Sequence, residues 1–289
     1  MAVMKHFLLP ALLLAGCAAY AQAPAPHYPP MPAGIRADRN IAYGKYPETV
    51  LDVFSPEGGV AGKRPGVLII HGGGWVGGTK EAMWEQWVKR YLDKGFVVAN
   101  VEYRLARAAT APAAVEDVLE AARWFSSNTR KYNVDSRRIV VTGGSAGGHL
   151  ALMVGLTPKK AKLGKPAKVA AVVNFYGITD VADQLSGPNM RKYAVTWVPE
   201  SPERLLLARR VSPMSYVRRG LPPVLTVHGD ADPTVPYEHG VKLTKALVGV
   251  GVKAEMISVP GGKHGFPKEK LDELYPQIWQ FLERCGVLR

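Results

Sequence analysis

Residues 139–149, the most informative stretch of this chain, read Ile-Val-Val-Thr-Gly-Gly-Ser-Ala-Gly-Gly-His. The apolar run at 139–141 is typical of a buried strand, and the residues at 149–153 suit a helix. Between them lies a Gly-x-Ser-x-Gly pentapeptide centred on Ser145. Its glycines permit a sharp turn in which a larger residue would clash. The pattern predicts a strand, turn and helix that present the Ser145 hydroxyl as a nucleophile.

A second glycine-rich loop, residues 71–75 (His-Gly-Gly-Gly-Trp), follows the apolar run at 67–70. A reaction with a tetrahedral intermediate needs preorganised N–H groups around its negative oxygen, and glycines let backbone amides approach a substrate closely. This loop is similar to the His-Gly-Gly-Gly element of lipases and esterases. The resemblance implies an oxyanion hole formed by the N–H groups of Gly73, Gly74 and Ala146.

Histidine is the natural base for a serine hydroxyl near neutral pH, and the chain contains seven histidines. We expect His264 to be the base, because it lies in a glycine-bracketed loop directly after the last predicted strand. The chain order serine, acid, histidine places the base there. We expect His71 to order the glycine loop. No catalytic role is expected for His6, His27, His149, His228 and His239.

The acidic partner of the base should lie between Ser145 and His264, after a strand. The segment 228–233 (His-Gly-Asp-Ala-Asp-Pro) offers two candidates. Asp232 is preferred because it lies farther into the loop, and Asp230 would then stabilise the turn. The chain has no His-Glu-x-x-His or Cys-x-x-Cys pattern, so we expect no metal and no cofactor.

Short β-branched runs alternate with helical patterns from about residue 50 onward. The predicted strands are Thr49–Phe54, Gly66–Ile70, Phe96–Val101, Arg138–Thr142, Val169–Phe175, Val224–Val227 and Ala254–Val259. The predicted helices are Ala82–Lys94, Ala113–Asn128, Ala146–Leu156, Tyr237–Val250 and Leu271–Arg284. This alternation predicts an α/β fold, a mostly parallel sheet with helices on both faces and functional loops at the carboxyl ends of the strands.

The proline-rich segment 178–223 does not follow the alternation, and we interpret it as a small insertion over the active site. Trp197 within it and Trp75 of the glycine loop are candidate substrate-binding residues. The alternative for the aromatic residues of the insertion is packing in the core.

The composition, 289 residues with 47% hydrophobic and 21% charged, suits one large α/β domain. The net charge of +13 is spread along the chain, and its densest run, Lys159–Lys168, is interrupted by glycine and proline. We therefore interpret that run as a solvated loop and expect no nucleic-acid partner. With only Cys17 and Cys285 available, no disulfide framework is expected.

The N-terminus has a basic start, an apolar run and then small residues, which is typical of a secretory signal. Residues 1–21 are predicted to be a signal peptide, 22–44 a proline-rich spacer and 45–289 the catalytic domain. An alternative site ends before Cys17 and resembles a lipoprotein box, which would attach the protein to a membrane through a lipid on Cys17. Both alternatives predict an exported protein, periplasmic, secreted or lipid-anchored to the cell envelope.

These motifs together resemble the esterase/lipase group of the α/β-hydrolase superfamily, near hormone-sensitive lipase and the bacterial feruloyl and acetyl-xylan esterases. The resemblance covers residues 45–285, but Gly144 stands where Asp is common and His149 where Asn often stands. It implies a serine hydrolase that cleaves short-chain acyl, acetyl or feruloyl esters, as small molecules or linked to polysaccharide. The alternatives are an arylformamidase-like amide hydrolase and a non-catalytic binding protein.

Overall fold

The computed structural model describes residues 28–59 and 61–289. The predicted signal segment, Cys17 and the first residues of the predicted spacer lie outside the described residues. Within the described ranges, no helix combines the length and the apolar character needed to cross a bilayer.

One mixed sheet forms the centre of the described structure. Its strands are β1 (Ile35–Ala42), β2 (Val50–Pro56), β3 (Arg64–Ile70), β4 (Val97–Val101), β5 (Val134–Gly144), β6 (Ala171–Phe175), β7 (Val224–Gly229) and β8 (Ala254–Val259). The α-helices are α1 (Lys89–Asp93), α2 (Ala113–Ser127), α3 (Ala146–Leu156), α4 (Lys192–Trp197), α5 (Arg204–Arg210), α6 (Glu238–Gly249) and α7 (Lys268–Arg284). All seven predicted strands are confirmed, and β1 is an additional one. Helix α3 begins and ends at the predicted residues.

The strands are arranged in the order β1-β2-β4-β3-β5-β6-β7-β8. Strand β2 is antiparallel to both β1 and β4, whereas the six strands from β3 to β8 are parallel to one another. The carboxyl ends of β3, β5, β7 and β8 therefore meet at one edge of the sheet. Loops at that edge supply the site in an open parallel sheet. The predicted α/β-hydrolase architecture is confirmed.

Alternate side chains of the central strands enter two separate cores. On β3, Val67 and Ile69 pack on the face covered by α1 and α7, whereas Leu68 and Ile70 pack on the face covered by α2, α3 and α6. A central parallel strand is buried on both faces, which explains its continuous apolar sequence. The two-sided burial holds the ends of the strands, and therefore the loops of the site, in fixed positions.

The predicted helix Ala82–Lys94 is irregular. It begins as a 3-10 turn at Lys80–Met83, continues as a π-helical turn at Trp84–Val88 and ends as α1. The wide turn places the aromatic ring of Trp87 in contact with the ring of Phe175, with centroids 4.5 Å apart. Single π-helical turns of this kind are frequent at functional sites.

The predicted spacer 22–44 is wrong for its second half, because these residues belong to the folded domain. Strand β1 pairs with β2 along its length, with one irregularity between Asp38 and Ile41. Tyr28 is buried, and its hydroxyl donates to Asp52 Oδ2 over 2.6 Å. The domain therefore begins before residue 45.

Candidate active site

Ser145 occupies the turn between β5 and α3, with φ 58° and ψ −122°. A positive φ is unusual for a residue with a side chain and is a mark of strain at functional sites. The turn has no room for a side chain at position 147, since a Cβ at Gly147 would lie 2.1 Å from the carbonyl oxygen of Ile70. Close packing of the turn against the end of β3 thus holds the serine in its strained conformation.

Three side chains from three loops form one hydrogen-bonded chain. Ser145 Oγ lies 2.9 Å from His264 Nε2, and His264 Nδ1 lies 2.7 Å from Asp232 Oδ2. The serine follows β5, the aspartate follows β7 and the histidine follows β8, so each comes from the carboxyl end of a parallel strand. The structure brings together the three residues that the sequence predicted.

The side chain of Asp232 is fully buried and is held by several donors. Its Oδ1 accepts hydrogen bonds from the N–H groups of Thr234 and Val235, and the buried ring of His228 lies 3.3 Å from its Oδ2. Burial alone would raise the pKa of Asp232, but the hydrogen bonds from His228 and His264 outweigh burial and hold that pKa well below its usual range. The carboxylate is therefore ionised and oriented toward His264.

Asp230 has the other role that the sequence suggested for it. Its Oδ1 accepts a hydrogen bond of 2.7 Å from the N–H of Gly261, which joins the loop after β7 to the loop after β8. The two loops also share backbone hydrogen bonds, among them one from Ala231 N–H to Gly262 O. Asp230 thus stabilises the turns that carry Asp232 and His264.

The glycine loop after β3 lies beside Ser145. Gly73 has φ +113°, and a Cβ there would lie 2.1 Å from the carbonyl oxygen of Gly77, so a side chain has no room. Within residues 28–59 and 61–289, the N–H groups of Gly73, Gly74 and Ala146 donate to no protein acceptor. These are the three groups that the resemblance implied for the oxyanion hole.

His71 anchors this loop from below. Its Nδ1 lies 2.8 Å from the carbonyl oxygen of Gly72 and its Nε2 lies 2.8 Å from Glu102 Oε1. The ring is 1% exposed and stacks on Tyr103 at 4.3 Å. Both ring nitrogens are therefore within hydrogen-bond distance of an oxygen, one on the glycine loop and one on Glu102.

A buried polar network continues from Glu102 to the N-terminal segment. The other carboxylate oxygen of Glu102 accepts from the backbone N–H of Lys80 over 3.1 Å, and Lys80 Nζ lies 2.7 Å from Asp52 Oδ2. Asp52 also accepts from Tyr28, while Asn100 donates to the Tyr28 hydroxyl over 2.9 Å. Side-chain hydrogen bonds and one backbone N–H therefore connect the glycine loop to the start of the domain.

The side chains of Trp75 and Trp197 lie in the core, which corrects their prediction as substrate-binding residues. Both side chains are fully buried, and their rings stack with centroids 4.2 Å apart. The indole N–H of Trp75 donates to Nδ1 of His149. A residue on a loop beside the site can point its side chain into the core, and here the two rings join the glycine loop to α4.

The insertion 178–223 lies over the site, as predicted, and holds two of its loops. Tyr193 packs on the glycine loop, where a Cβ at Gly74 would lie 2.7 Å from the Tyr193 ring. Arg191 and Gln184 both donate to the carbonyl oxygen of Thr234, two residues after Asp232. The insertion therefore contacts both the glycine loop and the loop after β7 that carries Asp232.

A cavity of about 360 Å³ opens onto Ser145 and His264. Its lining includes Tyr193 of the insertion and four side chains that sequence reasoning missed: Met83, Trp87, Tyr176 and Thr234. Tyr176 carries a recognisable signal, because it directly follows β6 at the functional edge of the sheet. No sequence signal pointed to Met83 and Trp87, which reach the cavity through the irregular helix before α1.

Tyr176 also fills the space beside Gly144, the pentapeptide position at which Asp is common in lipase-like sequences. A Cβ at Gly144 would lie 3.0 Å from the Tyr176 hydroxyl, and the ring is 4.8 Å from that of His264. An aspartate at position 144 would compete with Tyr176 for this space.

Among the described residues, no group of three or more His, Cys, Asp or Glu side chains is arranged to hold a metal ion.

The sheet, the strained serine and the glycine loop define a member of the esterase/lipase group of α/β-hydrolases. A model of the BD-FAE family matches residues 51–247, and the chain belongs to this family. Esterase LipC of Mycobacterium tuberculosis (strain ATCC 25618 / H37Rv) is 30% identical over 245 residues, which are 79% of this chain and 59% of LipC. The chain spans about half to three-fifths of the length of the curated relatives it matches.

Two solved structures are similar along nearly their whole length. A truncated form of a carbohydrate esterase from gut microbiota has a TM-score of 0.76 and 28% identity, covering 86% of this chain and 96% of that one. The apo form of Thermogutta terrifontis esterase 2 has a TM-score of 0.74 and 25% identity, covering 91% of this chain and 99% of that one. The predicted resemblance to esterases and lipases is confirmed.

Proposed function

We propose that this protein is a serine esterase that hydrolyses carboxylic esters through an acyl-enzyme. The observation that carries the proposal is the hydrogen-bonded chain from Ser145 through His264 to Asp232 at the mouth of a cavity. A hydroxyl, an imidazole and a buried carboxylate at these distances are the parts needed to activate a serine.

In the proposed reaction, Ser145 Oγ attacks the ester carbonyl while His264 Nε2 takes its proton. The N–H groups of Gly73, Gly74 and Ala146 receive the negative oxygen of the tetrahedral intermediate, and each such donor contributes about 3 kcal/mol in comparable sites. The intermediate collapses to the acyl-enzyme as His264 returns the proton to the leaving alcohol. Water then attacks the acyl group with His264 as base, which releases the acid and restores Ser145.

Asp232 does not take the proton in this mechanism. Its low pKa keeps it ionised, so that it fixes the His264 tautomer with Nδ1–H toward the carboxylate and Nε2 toward the serine. It also stabilises the imidazolium that forms during each proton transfer. The N–H bonds from Thr234 and Val235 hold the carboxylate in place for this role.

We propose short-chain acyl, acetyl or feruloyl esters as substrates, including esters carried by plant polysaccharide. A largely apolar lining that includes Met83, Trp87 and Tyr193 suits a small acyl or aryl group next to Ser145. The name of one similar structure, a carbohydrate esterase, supports a sugar-linked ester. A panel of acetylated xylan, methyl ferulate, p-nitrophenyl acetate and N-formylkynurenine separates these substrates from each other and from a formamide.

The catalytic role of Ser145 is tested with Ser145→Ala, using the exposed Ser201→Ala as a matched control. We expect Ser145→Ala to lose p-nitrophenyl acetate hydrolysis and fluorophosphonate labelling while it unfolds at the wild-type temperature. Ser201→Ala should retain both. Wild-type turnover by Ser145→Ala would refute the proposal.

We also propose that the protein is exported, on the basis of its N-terminal sequence. The test is the intact mass of the protein after expression in a bacterial host. An unmodified N-terminus at Gln22 supports cleavage after residue 21 and excludes a lipid on Cys17. A mass that includes the whole leader contradicts export.

A further inference from the structure

A second cavity, of about 590 Å³, lies at the opposite edge of the sheet from Ser145. It is formed where β3, β4 and β5 begin, and we call it the basic cleft. Its lining is Ala61–Pro65, Lys94, Gly95, Asp135–Arg138 and Arg289. Arg138 lies on β5, seven residues before Ser145, which directly follows that strand. The two residues are therefore roughly 23 Å apart at the usual rise per residue.

Basic side chains dominate the cleft. Six of its lining residues are Lys or Arg, and Asp135 is the one acidic residue among them. Within residues 28–59 and 61–289, Lys63, Arg64 and Lys94 have no carboxylate within 4.0 Å. The positive charge of the cleft is therefore largely uncompensated, and a concave surface concentrates the resulting field.

Three of the four arginines of the cleft, Arg64, Arg137 and Arg138, contact acceptors within the protein. Arg64 donates to the carbonyl oxygens of Gly58 and Gly95, which fix the guanidinium without neutralising it. The buried Asp135 contacts Arg137 and Arg138 at 3.3 Å each, so two guanidinium groups lie side by side. Preorganised guanidinium groups lose little entropy on binding and match carboxylate and phosphate oxygens in pairs.

We propose that the basic cleft binds a small anion carrying two or more carboxylate or phosphate groups. Asp135 already pairs with Arg137 and Arg138, but a single charged group would leave most of the other four cations, Lys63, Arg64, Lys94 and Arg289, without a partner. A flat lipid surface cannot enter a concave cavity of this size, whereas an oligomeric anion can place several groups within it. None of the lining residues belongs to the Ser145 site, so the proposal stands independently of the esterase function.

The test uses isothermal titration calorimetry at low ionic strength with three probes: tripolyphosphate, trigalacturonate and the neutral xylotriose. We expect one molecule of tripolyphosphate or trigalacturonate to bind per chain and xylotriose to show no heat. The tighter of the two anions tells whether phosphate or carboxylate is preferred. The absence of binding by both anions would overturn the proposal.

The variant is Lys63→Gln/Lys94→Gln, because both side chains are exposed and neither contributes a hydrogen bond to the described fold. We expect it to weaken anion binding about tenfold, as for the loss of charge-assisted contacts. The matched control is Lys242→Gln/Lys245→Gln, an equal charge change on exposed positions of α6. Equal weakening by both variants would show diffuse attraction to net charge and would refute a specific site. Wild-type turnover of p-nitrophenyl acetate by both variants verifies that the fold is intact.

Discussion

The indole N–H of Trp75 donates a 3.1 Å hydrogen bond to Nδ1 of His149, and His149 Nε2 donates to the carbonyl oxygen of Val211 over 2.6 Å. One buried ring thus joins the glycine loop, the helix after Ser145 and the insertion over the site. The tautomer follows from the partners, since Nδ1 accepts and Nε2 carries the proton. Burial lowers the pKa of His149 to about 4, so this ring is neutral in the folded protein at neutral pH.

The low pKa of His149 predicts a pH dependence of stability. The ordinary pKa of histidine is 6.5. Between pH 6.5 and about 4, His149 is therefore protonated in the unfolded chain but neutral in the folded one. The contribution to the free energy of unfolding is complete above pH 6.5 and is lost as the pH falls to 4, by up to about 3 kcal/mol. Urea unfolding from pH 4 to 8 measures it. His149→Asn, which keeps a donor and an acceptor but does not titrate, should show a flatter dependence; equal slopes would contradict the account.

Asp232→Asn should lower kcat for p-nitrophenyl acetate by about 10³ to 10⁴, because an amide cannot hold the productive His264 tautomer. Asp230→Asn is the matched comparison, since among the described residues its carboxylate accepts a hydrogen bond only from the Gly261 N–H in the adjoining loop. We expect that variant to lose less than tenfold in kcat. If Asp230→Asn loses more activity than Asp232→Asn, then Asp230, and not Asp232, is the acidic partner of His264.

Glu102→Gln should lower kcat about tenfold with little change in KM, since a misplaced oxyanion loop weakens the transition state more than the ground state. The two carboxylate oxygens accept from His71 and from the Lys80 N–H, and an amide can satisfy only one of these donors. The exposed Glu269→Gln on α7 serves as a control for the change in charge. If KM alone rises in Glu102→Gln, the residue does not act through the loop.

Trp197→Ala should destabilise the protein by about 3 to 5 kcal/mol, as expected for removal of a fully buried indole. The ring is 0% exposed and stacks on Trp75, so KM for a short ester should stay near the wild-type value in the folded fraction. Thermal unfolding and initial rates measured at low temperature check both statements. The exposed Leu206→Ala, also in the insertion, should be nearly neutral. Unchanged stability with a raised KM would restore a substrate-binding role.

Tyr28→Phe should cost about 1 to 3 kcal/mol of unfolding free energy, because Asp52 and Asn100 lose a buried partner. Tyr46→Phe is a suitable control, since Tyr46 is 37% exposed. Equilibrium unfolding in urea measures both variants. Equal stability of Tyr28→Phe and the wild type would mean that the N-terminal segment does not belong to the cooperative domain.

Features encoded by a few neighbouring residues could be predicted from the chain. Glycines around Ser145, an apolar run before it and helix-forming residues after it are all local, and α3 therefore begins and ends as predicted. The same holds for the buried parallel strands, whose two-sided burial demands continuous apolar runs. Strand β1 was missed because an edge strand is half exposed, with polar residues among apolar ones, and exists through its pairing with β2.

The directions in which side chains point were set by contacts between distant segments. Asp230 and Asp232 are two aspartates in the same loop, and either residue type could serve as the acidic partner. In the structure Asp232 contacts His264, whereas Asp230 accepts from the N–H of Gly261. In sequence, Trp75 and Trp197 suit substrate binding and core packing equally well. In the structure their rings stack on each other in the core. Propensity and periodicity describe neighbours along the chain, whereas burial and hydrogen bonding depend on which remote residues meet. The amino-acid pattern therefore predicted the fold and the three residues, Ser145, Asp232 and His264, that the structure brings together, and tertiary packing determined the partner of each side chain.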